Sequence, residues 1–517
     1  MKVTITSIDQ VLPSVEITAP KSLALSHIDE WHSRGRSSLV WLYPKPKKPT
    51  QSLQLLDHLR SSLSQALNKF PQYAGKLSHS LQTGTSQKSK TRLCLTWGTG
   101  NDPGVHYITA RASSPIDALL PPLGTSTGFT NGSGSYAWDR SGRSCIGLWP
   151  AVPLNKVYET CIQITTFECG GFSLSITMNH AVADATSVIL FARHWSKTHE
   201  LMVKVQTPSL SIAEPCFAPH LIDQYSTLEL QDEGDNGKLL NKAHALPTLR
   251  NDLYESGARS LPDRLELSET YSVGDDIAVG DWERSGPMRS YMLHFSKEDI
   301  NKIWESAKKE AGQDVSRQAA IVSYIWLAII RAREWDKHGV CEPIKLFITF
   351  DVRRRLGLPD TLLGSPVLVT HVKFNGNDAI SKSHGLLANR IWKTLSTYDV
   401  ESVCAALYDI TSSRPLISPA IWLGGRSTLF SSLCHADMYD VTFHETGPLL
   451  AAPAFAGMGG MIGLIKSKSA VPSRLPETYE DGIDMFFELD TESSIKLFSD
   501  PALSIFDGRA LLQEFRQ

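Results

Sequence analysis

The chain has 517 residues, 42% of them hydrophobic and 20% charged, with a formal charge of −3 and an isoelectric point near 6.6. That length is about two to four times an ordinary domain, so two domains sharing an interface are expected, and the composition excludes an extensively disordered or fibrous chain. The near-neutral charge gives no electrostatic ground for nucleic acid or an anionic membrane as partner, so an anionic ligand must be held by local basic groups. The opening MKVTITSIDQVLPSVEI lacks a basic stretch followed by an apolar one, and no run approaches the roughly 18 apolar residues that span a bilayer, which predicts a cytosolic protein. The cysteines are scattered without a C-x-x-C pair, so neither a zinc site nor a disulfide framework is expected. Asn131-Gly132-Ser133 fits a glycosylation sequon but reads as a chance match in such a protein.

In chain order, residues 51–70 place Leu53, Leu56, Leu59, Leu63 and Leu67 at helical spacing before Pro71, which predicts an amphipathic helix. From 80 to 150 the chain is rich in Gly, Ser, Thr and Pro, and loops with small strands such as 92–97 are expected. Residues 160–167 and 172–178 suit two strands, with Glu168-Cys169-Gly170-Gly171 between them as a hairpin loop. In the second strand Phe172, Leu174, Ile176 and Met178 alternate with Ser173, Ser175, Thr177 and Asn179, which predicts one apolar face and an inward-pointing His180. A helix over 185–197 follows, with Asp184 as its N-cap.

Residues 205–288 carry little periodicity and read as a crossover between an N-terminal domain (1–204) and a C-terminal domain (289–517). In the latter, residues 293–312 suggest a strand, a Ser296 cap and a helix, and residues 315–335 a buried helix capped by Ser316. A strand at 345–350 comes next. The class read from these elements is α/β with mixed sheets.

The candidate chemistry lies in His180-Ala181-Val182-Ala183-Asp184, an H-x-x-x-D after a half-buried strand. By itself this spacing is better explained by a core histidine beside a helix-capping aspartate. Two other motifs carry less. Gly124-Thr125-Ser126-Thr127-Gly128 is a literal G-x-S-x-G, but a nucleophile elbow needs a buried strand before it and a helix after it, and the segment is loop-like. The run Gly457 to Gly463 misses G-x-G-x-x-G by one position and lacks a βαβ unit around it. Although His180 and Asp184 could both ligate a metal, no third ligand is suggested nearby, and no metal is expected.

Around the H-x-x-x-D, the segment CGGFSLSITMNHAVADATSVILFARHW closely resembles the catalytic segment of the BAHD acyltransferase family. LSHID at 25–29, VWLYP at 40–44, SLSQALNKFPQYAGKL at 62–77, VSRQAAIVSYIWLAIIRAR at 315–333 and FDVRRRLGLPDTLLGSP at 350–366 resemble further family segments, in order along nearly the whole chain. Two departures stand out. Where the family often has D-F-G-W-G, this chain has Asp440-Val441-Thr442-Phe443-His444, and Ala185 replaces a frequent glycine. Fungal relatives commonly diverge there, which suits a fungal, trichothecene acetyltransferase-like enzyme of secondary metabolism. The related condensation domains carry H-H-x-x-x-D-G, against Asn179 and Ala185 here, and with no carrier domain expected, a stand-alone CoA enzyme is the favoured expectation.

The resemblance implies two similar chloramphenicol-acetyltransferase-like domains with mixed β-sheets flanked by helices and an active-site channel between them. It implies transfer of an acyl group, acetyl being the economical choice, from acyl-CoA to a hydroxyl or amine of a small metabolite. His180 would be the general base, and a histidine suits proton abstraction at neutral pH. Asp184 would support the base structurally by pairing with Arg353 or Arg355, and Asp351 and Asp440 would be structural motif residues. Thr442 is expected to line the oxyanion site, and Ser316, Arg317, Ser431 and Ser432 to face the CoA phosphates. Acyl-CoA enters as co-substrate, with no permanent cofactor, and a monomer is expected. The competing expectation, prompted by the altered D-F-G-W-G, is a BAHD-like scaffold reused as a cyclase or metabolite-binding protein without acyl-CoA chemistry.

Overall fold

The computed structural model describes residues 1–33, 35–47, 54–82, 90–120, 134–137, 146–150, 159–203, 212–226, 235–248, 288–336, 343–375, 378, 383–412, 426–443, 447–453, 460–468, 479 and 481–503. The G-x-S-x-G at 124–128, the sequon at 131–133 and Leu53 lie outside them.

The first half runs β1 (Val3–Val11), β2 (Lys21–Ala24), α1 (His27–Trp31), β3 (Arg36–Tyr43), α2 (Leu55–Ala66), β4 (Lys76–Gln82), β5 (Lys90–Trp97), β6 (Val105–Ala112), β7 (Gly134–Ala137), β8 (Thr160–Thr166), β9 (Phe172–Asn179) and α3 (Ala185–Met202). Short helices α4 (His220–Asp223) and α5 (Asp235–Ala245) punctuate the crossover. The second half runs β10 (Met288–Phe295), α6 (Lys297–Ala311), α7 (Arg317–Ala332), β11 (Pro343–Asp351), β12 (Val367–Asn375), α8 (His384–Ser396), α9 (Val400–Ser412), β13 (Ser427–Ser432), β14 (Leu450–Pro453), β15 (Met461–Lys466), β16 (Ile483–Asp490) and α10 (Thr491–Phe498).

The local causes of these elements are those expected of the sequence. In α2 the leucines Leu59 and Leu63 are fully buried, as is Leu67 at its C-cap, so the helix forms by burying one stripe. Ser296 and Ser316 accept the N3 amides of α6 and α7, and α6 ends on Gly312 in the left-handed region at φ 67°, where a glycine costs least.

Two expectations change. Strand β6 is eight residues long and interior to its sheet where loops and small strands are predicted, and its Thr109 meets the hydroxyls of Thr6 at 2.7 Å and Ser7 at 2.8 Å. On β9, Ser173, Ser175 and Thr177 are buried along with the apolar set, so the strand is covered on both faces and alternation alone does not orient its end.

The architecture is a two-domain α/β fold with mixed sheets. The six-stranded sheet has the order β1-β6-β8-β9-β3-β14 and the seven-stranded sheet β12-β11-β13-β15-β16-β10-β7, with a small β2-β5-β4 sheet beside them. The halves exchange edge strands. β14, from the second half, pairs antiparallel with β3, and β7, from the first half, pairs antiparallel with β10. Covering an edge with a strand from the other half protects it and ties the sheets together. Each half has its own apolar core, and a third cluster, containing Ile28 and Trp31 of α1, Ile222 of α4 and Val352, Leu356 and Leu362 after β11, packs across the junction. Gly460, at φ 79°, turns the chain into β15, and Gly463 sits inside that strand, whereas Gly457 and Gly459 of the same run lie outside the described residues. Among the described residues no helix is long and apolar enough to cross a membrane.

Candidate active site

The H-x-x-x-D motif folds as a tight turn between β9 and α3. The Asn179 carbonyl accepts the amides of Val182 at 2.9 Å and Ala183 at 3.2 Å, and its side-chain oxygen accepts the Ala181 amide at 3.0 Å. Asn179 thus serves as a local turn former, as short amide side chains do. Ala181, Val182 and Ala183 are fully buried, which anchors the turn in the first core. The His180 amide donates to the Gly35 carbonyl at 2.9 Å.

The His180 ring is fixed from its edge and one face. Its Nδ1 lies 2.6 Å from the Ser365 hydroxyl. His32 stacks on it with ring centroids 4.8 Å apart and planes 24° from parallel, and His32 Nε2 donates to the Val367 carbonyl at 2.8 Å. Among the described residues nothing bonds to His180 Nε2. Burial pulls the imidazole below the usual histidine range, opposed by the charge of Asp184, so the ring is neutral at neutral pH and able to take a proton. Burial, followed by the neighbouring His180, lowers His32 to about 3.

Asp184 makes no hydrogen bond to the imidazole. Its oxygens cap α3 through the Ser187 amide at 2.8 Å and take both terminal nitrogens of Arg353, at 2.6 and 3.2 Å. Arg353, only 1% exposed, also donates to Asp351 at 2.8 Å and, through Nε, to the Leu362 carbonyl at 2.9 Å. Burial alone would raise the Asp184 pKa, but the guanidinium and the Ser187 hydrogen bonds outweigh it and hold the carboxylate below its usual range. Burial raises Asp351, as does its proximity to Asp184. Arg355 lies elsewhere and donates to the Tyr398 carbonyl.

The other predicted residues do not gather at His180. Thr442 donates to Glu200 at 2.7 Å, and Glu200 stands sixteen residues beyond Asp184 near the far end of α3. At about 1.5 Å per helical residue that is roughly 24 Å away, which removes Thr442 from any oxyanion beside His180. The altered 438–443 segment instead clasps the first half. Trp41 Nε1 donates to the Met438 carbonyl and the Tyr43 hydroxyl to the Val441 carbonyl, each at 2.8 Å. Phe443 is buried against Tyr43, Trp195 and His199. Asp440 sits 3.6 Å from Arg193 in a partly exposed ion pair.

Ser316 accepts the Ala319 amide at 3.1 Å as helix cap. The guanidinium of Arg317 stacks 4.1 Å over the Trp304 ring, and Ser431 accepts from Thr349 at 3.0 Å. Ser432 lies beside it on β13. None of these four bonds to His180. The residues that do frame the base from outside its motif, His32 and Ser365, were not singled out by sequence reasoning. Ser365 lies in the family-like segment 350–366, and His32 lies three residues past LSHID, but their meeting is a tertiary event. Among the described residues no group of three or more His, Cys, Asp or Glu side chains could hold a metal.

Residues 1–231 match the Transferase family. Acyltransferase abl6 of Leptosphaeria maculans is 29% identical over 515 residues, covering 97% of this chain and 98% of that protein. Among solved structures, vinorine synthase superposes with a TM-score of 0.60 at 17% identity, over 96% of each chain. TRI101 of F. sporotrichioides, complexed with coenzyme A and T-2, superposes with a TM-score of 0.59 at 14% identity, over 93% of this chain and 98% of that one. Shared fold, near-full-length likeness to an acyltransferase and the H-x-x-x-D segment point the same way: the chain is similar to acyltransferases of the BAHD type.

Proposed function

We propose that the protein transfers an acyl group, acetyl in the first instance, from acyl-CoA to a hydroxyl or amine of a small metabolite, with His180 as general base. The observation that carries this reading is a neutral imidazole held at Nδ1 and on one face, with Nε2 unengaged among the described residues. Nε2 takes the acceptor's proton as its oxygen or nitrogen attacks the thioester carbonyl, forming a tetrahedral oxyanion. Collapse breaks the carbon–sulfur bond, and the departing thiolate leaves as the thiol with the proton from the imidazolium. Direct transfer needs no covalent acyl-enzyme.

Asp184 takes part in this reading only as support, since its oxygens are committed to Arg353 and Ser187. A place among fungal enzymes belongs to the same proposal, supported by likeness to the Leptosphaeria protein, and with it go a role in secondary metabolism, a cytosolic location and a monomeric state. Ser316, Arg317, Ser431 and Ser432 remain proposed CoA contacts, with Arg317 the one charged side chain of the four.

The test is thiol release from a panel of acyl-CoAs in the presence of pooled hydroxylated and amino metabolites, wild type against His180→Ala. Acceptor-dependent release that falls by roughly 10² to 10⁴ in the variant supports the base. Saturable binding of a metabolite with no affinity for any acyl-CoA would replace this reading with the reused scaffold.

A further inference from the structure

The second half of the chain reaches His180 through one short turn, Gly364-Ser365, and that turn is gripped from both sides by the first half. On one side the Asp184 amide donates to the Gly364 carbonyl at 2.9 Å, and the Ser187 hydroxyl donates to it at 3.0 Å. On the other side the Ser365 amide donates to Asp29 Oδ1. Asp29, fully buried, is itself held by Ser26, whose amide donates to Oδ2 at 3.2 Å and whose hydroxyl also bonds to it. Gly364 adopts φ 125°, and a Cβ there would lie 2.8 Å from Asp29 Oδ1. Only glycine lets the carboxylate sit under this turn. The result is that a fully buried hydroxyl, Ser365 Oγ, has a single bond among the described residues, and it goes to His180 Nδ1.

We infer that Ser365 is the positioning residue of the base: its hydroxyl accepts the Nδ1–H of His180 and so fixes the tautomer whose Nε2 carries the unshared pair, with Asp29 as its anchor. The inference rests on the reading of His180 as base. Its physical ground is continuity through the reaction. An Nδ1–H is a donor in the neutral ring and in the imidazolium alike, so the bond survives proton uptake at Nε2 without a hydroxyl rotation. The opposite polarity would put the ring hydrogen on Nε2, leave no pair there to take a proton, and force the hydroxyl to reverse whenever the ring charged. His32, neutral and tied to Val367, lies against one face of the same ring and blocks its rotation out of the bond. The Asp184–Arg353 pair then acts on the base through this turn, because Arg353 also holds the Leu362 carbonyl at 2.9 Å.

The groups that bear on His180 are His32 at the end of α1, Asp184 and Arg353 beside the turn, and Asp29 behind Ser365. Ser365→Ala removes the hydroxyl acceptor of the Nδ1–H and leaves the ring the carbonyl of His180 itself. The expected result is a fall in kcat of about ten- to a hundredfold with KM for donor and acceptor changed by less than about threefold. The acid limb of kcat/KM should move to lower pH, because the imidazolium loses a hydrogen-bond acceptor. Ser365→Thr, which keeps the hydroxyl, should restore most of the loss.

Long-range proton–nitrogen spectra of protein labelled with ¹⁵N-histidine, assigned by the signal missing in His180→Gln, read the tautomer without any substrate. The wild type should show Nδ1–H at His180, and Ser365→Ala should shift it toward Nε2–H. A wild-type Nε2–H signal overturns the inference, as does a Ser365→Ala protein with unchanged tautomer, kcat and pH profile. If wild type transfers no acyl group at all, the proposed function fails while the spectra still decide the role of Ser365.

Discussion

Breaking the Arg353–Asp184 pair is the perturbation with the most to say about how the two halves meet. Both side chains are almost without solvent, at 1% and 5% exposure, and lie 2.6 Å apart. Arg353→Met removes the cation and leaves Asp184 buried with only Ser187 to satisfy it, for which a loss of about 3 to 5 kcal/mol is expected. Asp184→Asn is milder, because Arg353 keeps its bond to Asp351, a carboxylate 40% exposed. Losing charge-assisted hydrogen bonds there should cost about 1.5 to 3 kcal/mol. The double variant should lose less than the sum, with a coupling of about 1 to 3 kcal/mol. Urea unfolding followed by tryptophan fluorescence, completed as a double-mutant cycle, measures all three. Additivity within roughly 0.5 kcal/mol, or an Arg353→Met loss below about 1 kcal/mol, would refute the claim that this pair joins α3 to the loop after β11.

Other outcomes follow from the same geometry. Phe443→Ala empties a site buried against Tyr43, Trp195 and His199 and should cost about 3 to 5 kcal/mol in the same unfolding assay. His32 has a folded pKa near 3, below the ordinary 6.5, so the unfolded chain binds more protons and stability is lost as pH falls from 6.5 toward 3. His32→Phe should flatten that acid limb of a plot of stability against pH, and an unchanged slope would count against the burial assigned to His32. Asp29 has the opposite sign. Burial lifts it from 3.8 to about 7, so stability is lost as pH rises across that window, and Asp29→Asn should remove that loss while weakening the grip on Ser365.

The sequence by itself determined what depends on neighbours in the chain. The strand pair before His180, the Asp184 cap and the serine caps of α6 and α7 were legible because periodicity and capping act over a few residues. The order of family-like segments carried the resemblance to the family and its two-domain α/β class. Tertiary structure alone decided which residues meet. Arg353 rather than Arg355 faces Asp184 because the backbone after β11 aims only one of them inward. Thr442 was drawn to Glu200 by a clasp whose other side is Trp41, Tyr43 and Trp195, none of them near it in sequence. Ser365 and His32 reach His180 from 185 and 148 positions away, and the exchange of β7 and β14 links strands just as distant. Contacts of that range leave no periodic trace in one chain, because they are set by which surfaces the folded halves press together, not by local backbone preference.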